Sequence, residues 1–202
     1  MCDKPRVNLG SFDNRWYDPG AGCIRRLAWF CVNAIVLQCP LNPFSSVKVL
    51  ALRLFGAKIG SGVVIKPAVN VKYPWRLKIG DRVWIGERVW LDNLDTIEVG
   101  SDCCISQGAY LCTGNHDWSD AAFGLIVKPI VVEDGAWIGA RATVLPGVTI
   151  RTHSVAGAGA VISHDTEPYT IWQGNPAIMV KQRQIKGEST AEIAEDAEKR
   201  VY

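Results

Sequence analysis

From Ile59 onward the chain falls into units, mostly of six residues, that open on an aliphatic residue. The chain reads IGSGVV, IKPAVN and VKYPWRLK, then IGDRVW, IGERVW and LDNLDTIE, then VGSDCC, ISQGAY and LCTGNH. Ile59, Ile79 and Val99 lie 20 residues apart and each precedes a glycine. After an interruption the beat resumes at Val132 with VEDGAW, IGARAT, VLPGVT, IRTHSV and AGAGAV. The fifth place is small or β-branched, as at Val63, Val83, Cys103, Ala109, Ala136, Ala142, Ser154 and Ala160. On a helix, positions six apart lie about 120° apart around the axis and would share no face, and a flat sheet would alternate by two. The pattern predicts an all-β solenoid of short parallel strands wound as a triangle, three sixes to a turn. In this reading the first place points inward and the small fifth place fits the corner. Glycine in the second place relieves backbone strain there. The extra residues in each of the first three turns bulge at one corner.

The flanks read differently. LAWFCVNAIVLQC, Leu27–Cys39, is apolar throughout and follows Arg25 and Arg26. At 13 residues it falls short of the roughly 20 needed to span a bilayer. It predicts a helix packed on the domain, with a membrane-surface helix as the alternative. Leu50, Leu52, Leu54 and Phe55 continue the apolar character up to Gly56, a helix stop. The charged stretch after Arg183 spaces Ala191, Ile193, Ala194, Ala197 and Val201 among acids and bases, which predicts a short C-terminal helix. The organisation is a helical cap over 1–56, a β-helix over 57–183 and a tail over 184–202.

Composition narrows the function. A net charge of +2 and the absence of basic runs interleaved with aromatics argue against a nucleic-acid partner. Seven cysteines occur without a C-x-x-C, which suits reduced thiols in a cytoplasmic chain. The polar N-terminus does not read as a secretory signal.

The beat breaks at roughly 114–130, and a loop of about 17 residues in a compact repeat is unusual and is more often functional or disordered than a plain connection. Trp118, Phe123, Leu125 and Ile126 give it apolar groups to dock. His116, one of three histidines, stands at its start. It is either a solvated loop residue or a base: a hydroxyl is a poor nucleophile until its proton is removed, which a neutral imidazole does near pH 7. One coil earlier lie Asp92 and Asn93, which either make the turn or orient the histidine and its substrate. Cys112 is the one rival nucleophile.

This hexapeptide signature, over about Ile59 to Arg183, resembles the left-handed β-helix acyltransferases, and left-handed winding is what the resemblance implies. Within them, KPAVNVKYPWRLKIGDRVWIGERVWLDN, CISQGAYLCTGNHD and FGLIVKPI look like the colanic-acid-type exopolysaccharide acetyltransferases, near the maltose, galactoside and nodulation O-acetyltransferases. The resemblance implies acetyl-CoA as co-substrate, a sugar or oligosaccharide acceptor and a homotrimer in which the loop reaches a neighbouring subunit. TGNHD matches the family's catalytic-histidine segment, so His116 is expected as the general base. Asp92, Asn93 and Asn115 are the acceptor-binding candidates. Related galactoside enzymes carry an Asn on the turn before the histidine; the corresponding count here falls at Gly86–Glu87, making Glu87 a substitute.

On the donor side, Trp137, Gly139 and Ala140 match residues at the mouth of the pantetheine groove, and Gly157 and Ala158 those beside its amides. Corner geometry accounts for the glycines equally well. Ser163 and His164 replace the Thr and Lys of the family's V-T-K-D, and Ile178 replaces a basic residue after GNPA, leaving Lys181 and Arg183 to face the phosphates. The fold is shared with a zinc carbonic anhydrase, but the spacings of 37 and 11 between His116, His153 and His164 do not match its ligands, so no metal is expected. The alternatives are transfer to another small hydroxyl acceptor, such as an antibiotic, and a non-catalytic repeat scaffold.

Overall fold

The structure is a computed structural model that describes residues 6–186. Its body is a parallel β-helix with three faces. One face stacks Lys58–Ile59, Leu77–Ile79, Ile97–Val99, Ile130–Val132 and Thr149–Ile150. The second stacks Val64–Ile65, Trp84–Ile85, Cys104–Ile105, Trp137–Ile138, Val155–Ala156 and Thr170–Gly174. The third stacks Asn70–Val71, Trp90–Asp92, Tyr110–Cys112, Thr143–Val144 and Val161–Ile162. Ile59 pairs with Ile79 and Ile79 with Val99, which is the 20-residue period in three dimensions. Val99 then pairs with Val132, so the whole interruption is extruded without disturbing the register.

The core follows the predicted places. First-place Ile65, Ile85, Leu91, Ile105, Leu111, Ile138, Val144 and Ile162 are fully or almost fully buried, and so are fifth-place Val69, Val83, Ala109, Ala142 and Ala160. The role assigned to the second-place glycines needs correction. Gly86 and Gly139 do not have left-handed backbones. They are glycine because the next coil approaches too closely. A Cβ on Gly86 would lie 2.5 Å from the amide nitrogen of Gln107, and one on Gly139 2.6 Å from that of Ala158. The left-handed conformations fall two residues later, in the fourth place, at Ala68, Arg82, Arg88, Asp102, Arg141 and His153 as well as Gly62 and Gly108. Non-glycine residues in that region cost roughly 1–3 kcal/mol each, offset here by the ladder that holds every corner.

The apolar N-terminal segment forms helix α1, Cys23–Val32, extended by a π-type turn over Asn33–Leu37. Helix α2 is Ser45–Leu54, and Gly56, at φ +98°, ends it. The first coil has an open strand edge, and the helices satisfy it. Trp29, buried, donates its indole N–H to the Val71 carbonyl at 2.9 Å. Ser45 Oγ accepts from the Ile65 amide at 3.1 Å. Lys48, fully buried, donates to the carbonyls of Asn42 (2.8 Å) and Ile65 (3.1 Å), and burial lowers its pKa. At the far end Thr170–Gly174 turns back antiparallel into Ala177–Gln182, so the chain reversal at Asn175-Pro176 builds a hairpin. The expected C-terminal helix lies outside the described residues.

Trp29→Ala should cost about 3–5 kcal/mol through lost packing and the orphaned Val71 carbonyl. Trp29→Phe, which restores most of the volume, should fall between it and the wild type in urea denaturation.

Candidate active site

The cleft is built on one corner of the triangle, repeated. Between the third face and the first, the first coil bulges at Tyr73–Arg76, the second at Asn93–Thr96, and the third at the 113–129 excursion. Buried polar side chains knit these bulges together. Asn93, fully buried, accepts from the Tyr73 amide at 2.9 Å and donates to the Tyr73 carbonyl at 2.6 Å. Thr113, also fully buried, donates its hydroxyl to the Asp92 carbonyl and accepts from the Asp95 amide, both at 2.9 Å. Each bulge is therefore fixed to the one before it.

The excursion is a hairpin rather than a structureless loop: Gly114–His116 pairs antiparallel with Leu125–Val127. Its tip is organised by Asp120, whose carboxylate accepts from the amides of Ala122 (3.0 Å) and Gly124 (3.3 Å). This holds Phe123 at φ +55°, a conformation unfavourable for a bulky residue. The result is that the Phe123 carbonyl meets His116 Nδ1 at 2.9 Å while its ring stacks on the imidazole, centroids 4.5 Å apart. A carbonyl only accepts, so Nδ1 carries the proton and Nε2 keeps its lone pair in the neutral ring. Among the described residues Nε2 has no hydrogen-bond partner.

His116 lines a cleft of about 620 Å³ whose other wall is the N-terminal segment before α1. Phe12 packs 5.6 Å from the imidazole. The Tyr17 hydroxyl donates to the Leu94 carbonyl at 2.7 Å, and burial pushes its pKa up to about 12. Trp75 Nε1 donates to the Pro19 carbonyl at 2.7 Å, and Arg76 spans the carbonyls of Asp18 and Leu94. Arg15, Arg26 and Lys72 bring positive charge to the lining.

The predicted acceptor residues fare unequally. Lys72 Nζ lies 3.1 Å from Asp92 Oδ1, an ion pair in which that oxygen accepts no aligned hydrogen bond. The other Asp92 oxygen accepts from Tyr110 at 3.1 Å, and burial, reinforced by Cys112 and Asp92, raises the Tyr110 pKa strongly. Asp92 thus stands behind a cleft-lining lysine. Asn93 bonds Tyr73 through both amide atoms and is fully buried, so it shapes the corner and does not line the cleft. Asn115 is exposed and accepts from the His116 amide at 2.8 Å. Glu87 lies in a separate hollow of about 330 Å³ with Trp84 and Ser106, outside the His116 cleft. Cys112 donates its thiol to the Gly114 carbonyl at 2.9 Å, so the thiol faces back into its own strand.

On the donor side, Trp137 is half exposed and donates to Ser106 Oγ at 2.8 Å. Gly139 and Gly157 are both explained by close coil approach: a Cβ on Gly157 would lie 2.8 Å from Gln173 Cγ. Ala140 is half-buried beside Gly139, while Ala158 is exposed. Ser163 pairs with His164 at 2.9 Å, and His153 stacks on Tyr169 with centroids 4.7 Å apart. Lys181 is exposed on the terminal hairpin. Arg183 is occupied, donating to the carbonyls of Gly135 (3.0 Å) and His153 (2.9 Å). Among the described residues no cluster of three metal-ligating side chains forms. Sequence reasoning missed the wall formed by Phe12, Arg15, Tyr17 and Arg26; the only signal was the aromatic and charged run FDNRWYD inside a nominal cap.

The family model "Hexapeptide repeat of succinyl-transferase" matches residues 129–164. The chain is 37% identical over 164 residues to the Escherichia coli (strain K12) protein WcaF, which carries a provisional name as a colanic acid biosynthesis acetyltransferase; the match covers 81% of this chain and 90% of that protein. The hexapeptide-repeat acetyltransferase VCA0836 of Vibrio cholerae, solved with acetyl coenzyme A, superposes with a TM-score of 0.73 at 23% identity, covering 83% of this chain and 93% of that one. A maltose O-acetyltransferase from Clostridium difficile 630 gives 0.68 at 22% identity, over 80% and 88%.

Raising the Tyr17 pKa to about 12 from roughly 10 in the unfolded chain makes its contribution to stability fully present below pH ~10. That contribution is lost as pH climbs toward the folded value. The fall in urea midpoint over that window should be shallower in Tyr17→Phe than in the wild type.

Proposed function

This chain belongs to the hexapeptide-repeat acetyltransferases, and from that premise we propose that it transfers an acetyl group from acetyl-CoA to a sugar hydroxyl, with His116 as the general base. The observation that carries the proposal is the hydrogen bond from Nδ1 to the Phe123 carbonyl, which leaves Nε2 as an acceptor in the cleft. The acceptor's hydroxyl proton passes to Nε2 as its oxygen bonds to the acetyl carbon. The carbon–sulfur bond breaks, and the departing thiolate takes the proton back. A positioned base of this kind is worth on the order of 10²–10⁴ in rate. Aromatic Phe12 and Tyr73 beside polar Asn14 and Lys72 suit a carbohydrate, which offers both C–H faces and hydroxyls. Similarity to WcaF supports an acceptor in exopolysaccharide or other surface-polysaccharide assembly. The absence of disulfides among the described residues suits a cytoplasmic setting.

We further propose a homotrimer with the donor groove between subunits. Trp118 at the hairpin tip is 83% exposed, and Trp84 and Trp137 stand outward on one face. Exposed tryptophans at separate places are what an interface would cover. Trp137, Ala140, Ala158, Ser163 and Lys181 then remain the donor-side candidates.

Acetyl-CoA consumption measured over free sugars, lipid-linked oligosaccharides and chloramphenicol identifies the acceptor. The expected result is turnover with a saccharide; turnover with chloramphenicol alone would favour an antibiotic-type acceptor. His116→Ala should lose at least ~10² in turnover with an unchanged melting transition, and near-wild-type activity would overturn the mechanism. Light scattering should return a trimer mass, and a monomer would remove the inter-subunit groove.

A further inference from the structure

We propose that the outer face of α1 and α2 docks on an anionic lipid surface. Both helices are apolar on two sides. The inner sides bury Trp29, Leu37 and Leu52 against the first coil. The outer side of α1 and its turn carries Ile24, Leu27, Cys31 and Ile35, spaced three and four apart on one stripe. Ile24 is 83% exposed and Ile35 73% exposed. Val47, Leu50 and Leu54 repeat the spacing on α2, and Leu41 and Phe44 stand exposed in the connection. Monomeric soluble proteins rarely leave such contiguous apolar surface open.

Charge says what covers it. From Pro19 to Gly80 the chain holds nine of its 22 lysines and arginines and none of its 20 acids. The remainder carries the other 13 cations and every acid, so the positive charge is concentrated at the helical end. Arg25, Arg26, Arg53, Lys58 and Lys66 are exposed there, and none forms an ion pair among the described residues. Apolar side chains flanked by unpaired cations match the acyl boundary and headgroups of an anionic leaflet. From Cys23 to Leu37 the helix is about 22 Å long at 1.5 Å per residue, short of the roughly 30 Å hydrocarbon core. No helix of the described chain is long and apolar enough to cross a membrane, so this one lies on the surface.

Arg26 belongs both to α1 and to the lining of the His116 cleft. If the acyl-transfer reading above holds, docking brings the cleft to acceptors carried on lipid. The docking itself does not depend on that reading.

The test is co-sedimentation of the full chain with vesicles of mixed phosphatidylglycerol and phosphatidylcholine, against pure phosphatidylcholine. Binding should be at least about tenfold tighter to the anionic vesicles and should weaken with salt. The triple variant Ile24→Glu, Leu27→Glu, Ile35→Glu should lose at least about tenfold in vesicle affinity, with its melting transition and its acetyl transfer to a water-soluble acceptor unchanged. Lys58→Gln with Lys66→Gln should weaken the anionic preference alone. No binding to anionic vesicles, or equal binding by the triple variant, overturns the proposal. So does a triple variant that changes the oligomeric mass while vesicle binding stays put, because the face would then join copies of the chain. Vesicle binding without any acetyl transfer would support docking and count only against the acyl-transfer reading.

Discussion

Successive coils of the β-helix sit one strand spacing apart, about 4.8 Å, and every corner has to fit inside that distance. Two devices meet the constraint. The second place is glycine where the next coil's backbone would occupy the Cβ position, as Gln107 does above Gly86. The fourth place takes a left-handed conformation so that the chain turns sharply, even where the residue is Arg82 or Asp102. Neither device would persist alone. The inter-coil hydrogen bonds over-determine them, and the cost of the strained corners is spread along a continuous core of Ile, Leu and Val.

That rigidity is what the cleft uses. One corner departs from the minimal turn in three successive coils, and each departure is pinned to the last by a buried amide or hydroxyl. The third departure grows into the hairpin that carries His116. The strain at Phe123 is local and has a visible use, since the carbonyl it aims settles which imidazole nitrogen is free. The imidazole is therefore oriented by backbone held on a stiff scaffold rather than by a second acidic side chain. The carboxylate of Asp92 is instead spent on Lys72, which sets the charge of the cleft wall.

The N-terminal part of the chain works in three directions at once. Its helices close the open edge of the first coil through Trp29, Ser45 and Lys48. The segment before them covers the His116 cleft through Phe12 and Tyr17. Its outer surface is left apolar and positively flanked. The cap and the cleft wall meet at Arg26, which belongs to α1 and lines the cleft.

Much of the fold was legible in the sequence because its period is short and local. A six-residue beat assigns inward, outward and corner positions without knowledge of distant contacts, and the 20-residue spacing of Ile59, Ile79 and Val99 sets the register of the coils. The position of His116 at the break was legible for the same reason. What only the tertiary structure decided were the roles that depend on which atoms meet across coils. Asn93 counted as a ligand group in sequence, but it is fully buried and its amide is bonded to Tyr73 in the coil before. Arg183 counted as a free cation, but its guanidinium is held by carbonyls of Gly135 and His153. Phe12, Arg15 and Tyr17 lie some hundred residues from His116 along the chain, and no periodicity links them. A repeat pattern determines where a side chain points, because that is set by neighbours in sequence; it does not determine whether its hydrogen-bonding capacity is still free, because that is settled by atoms brought together only when the chain has folded.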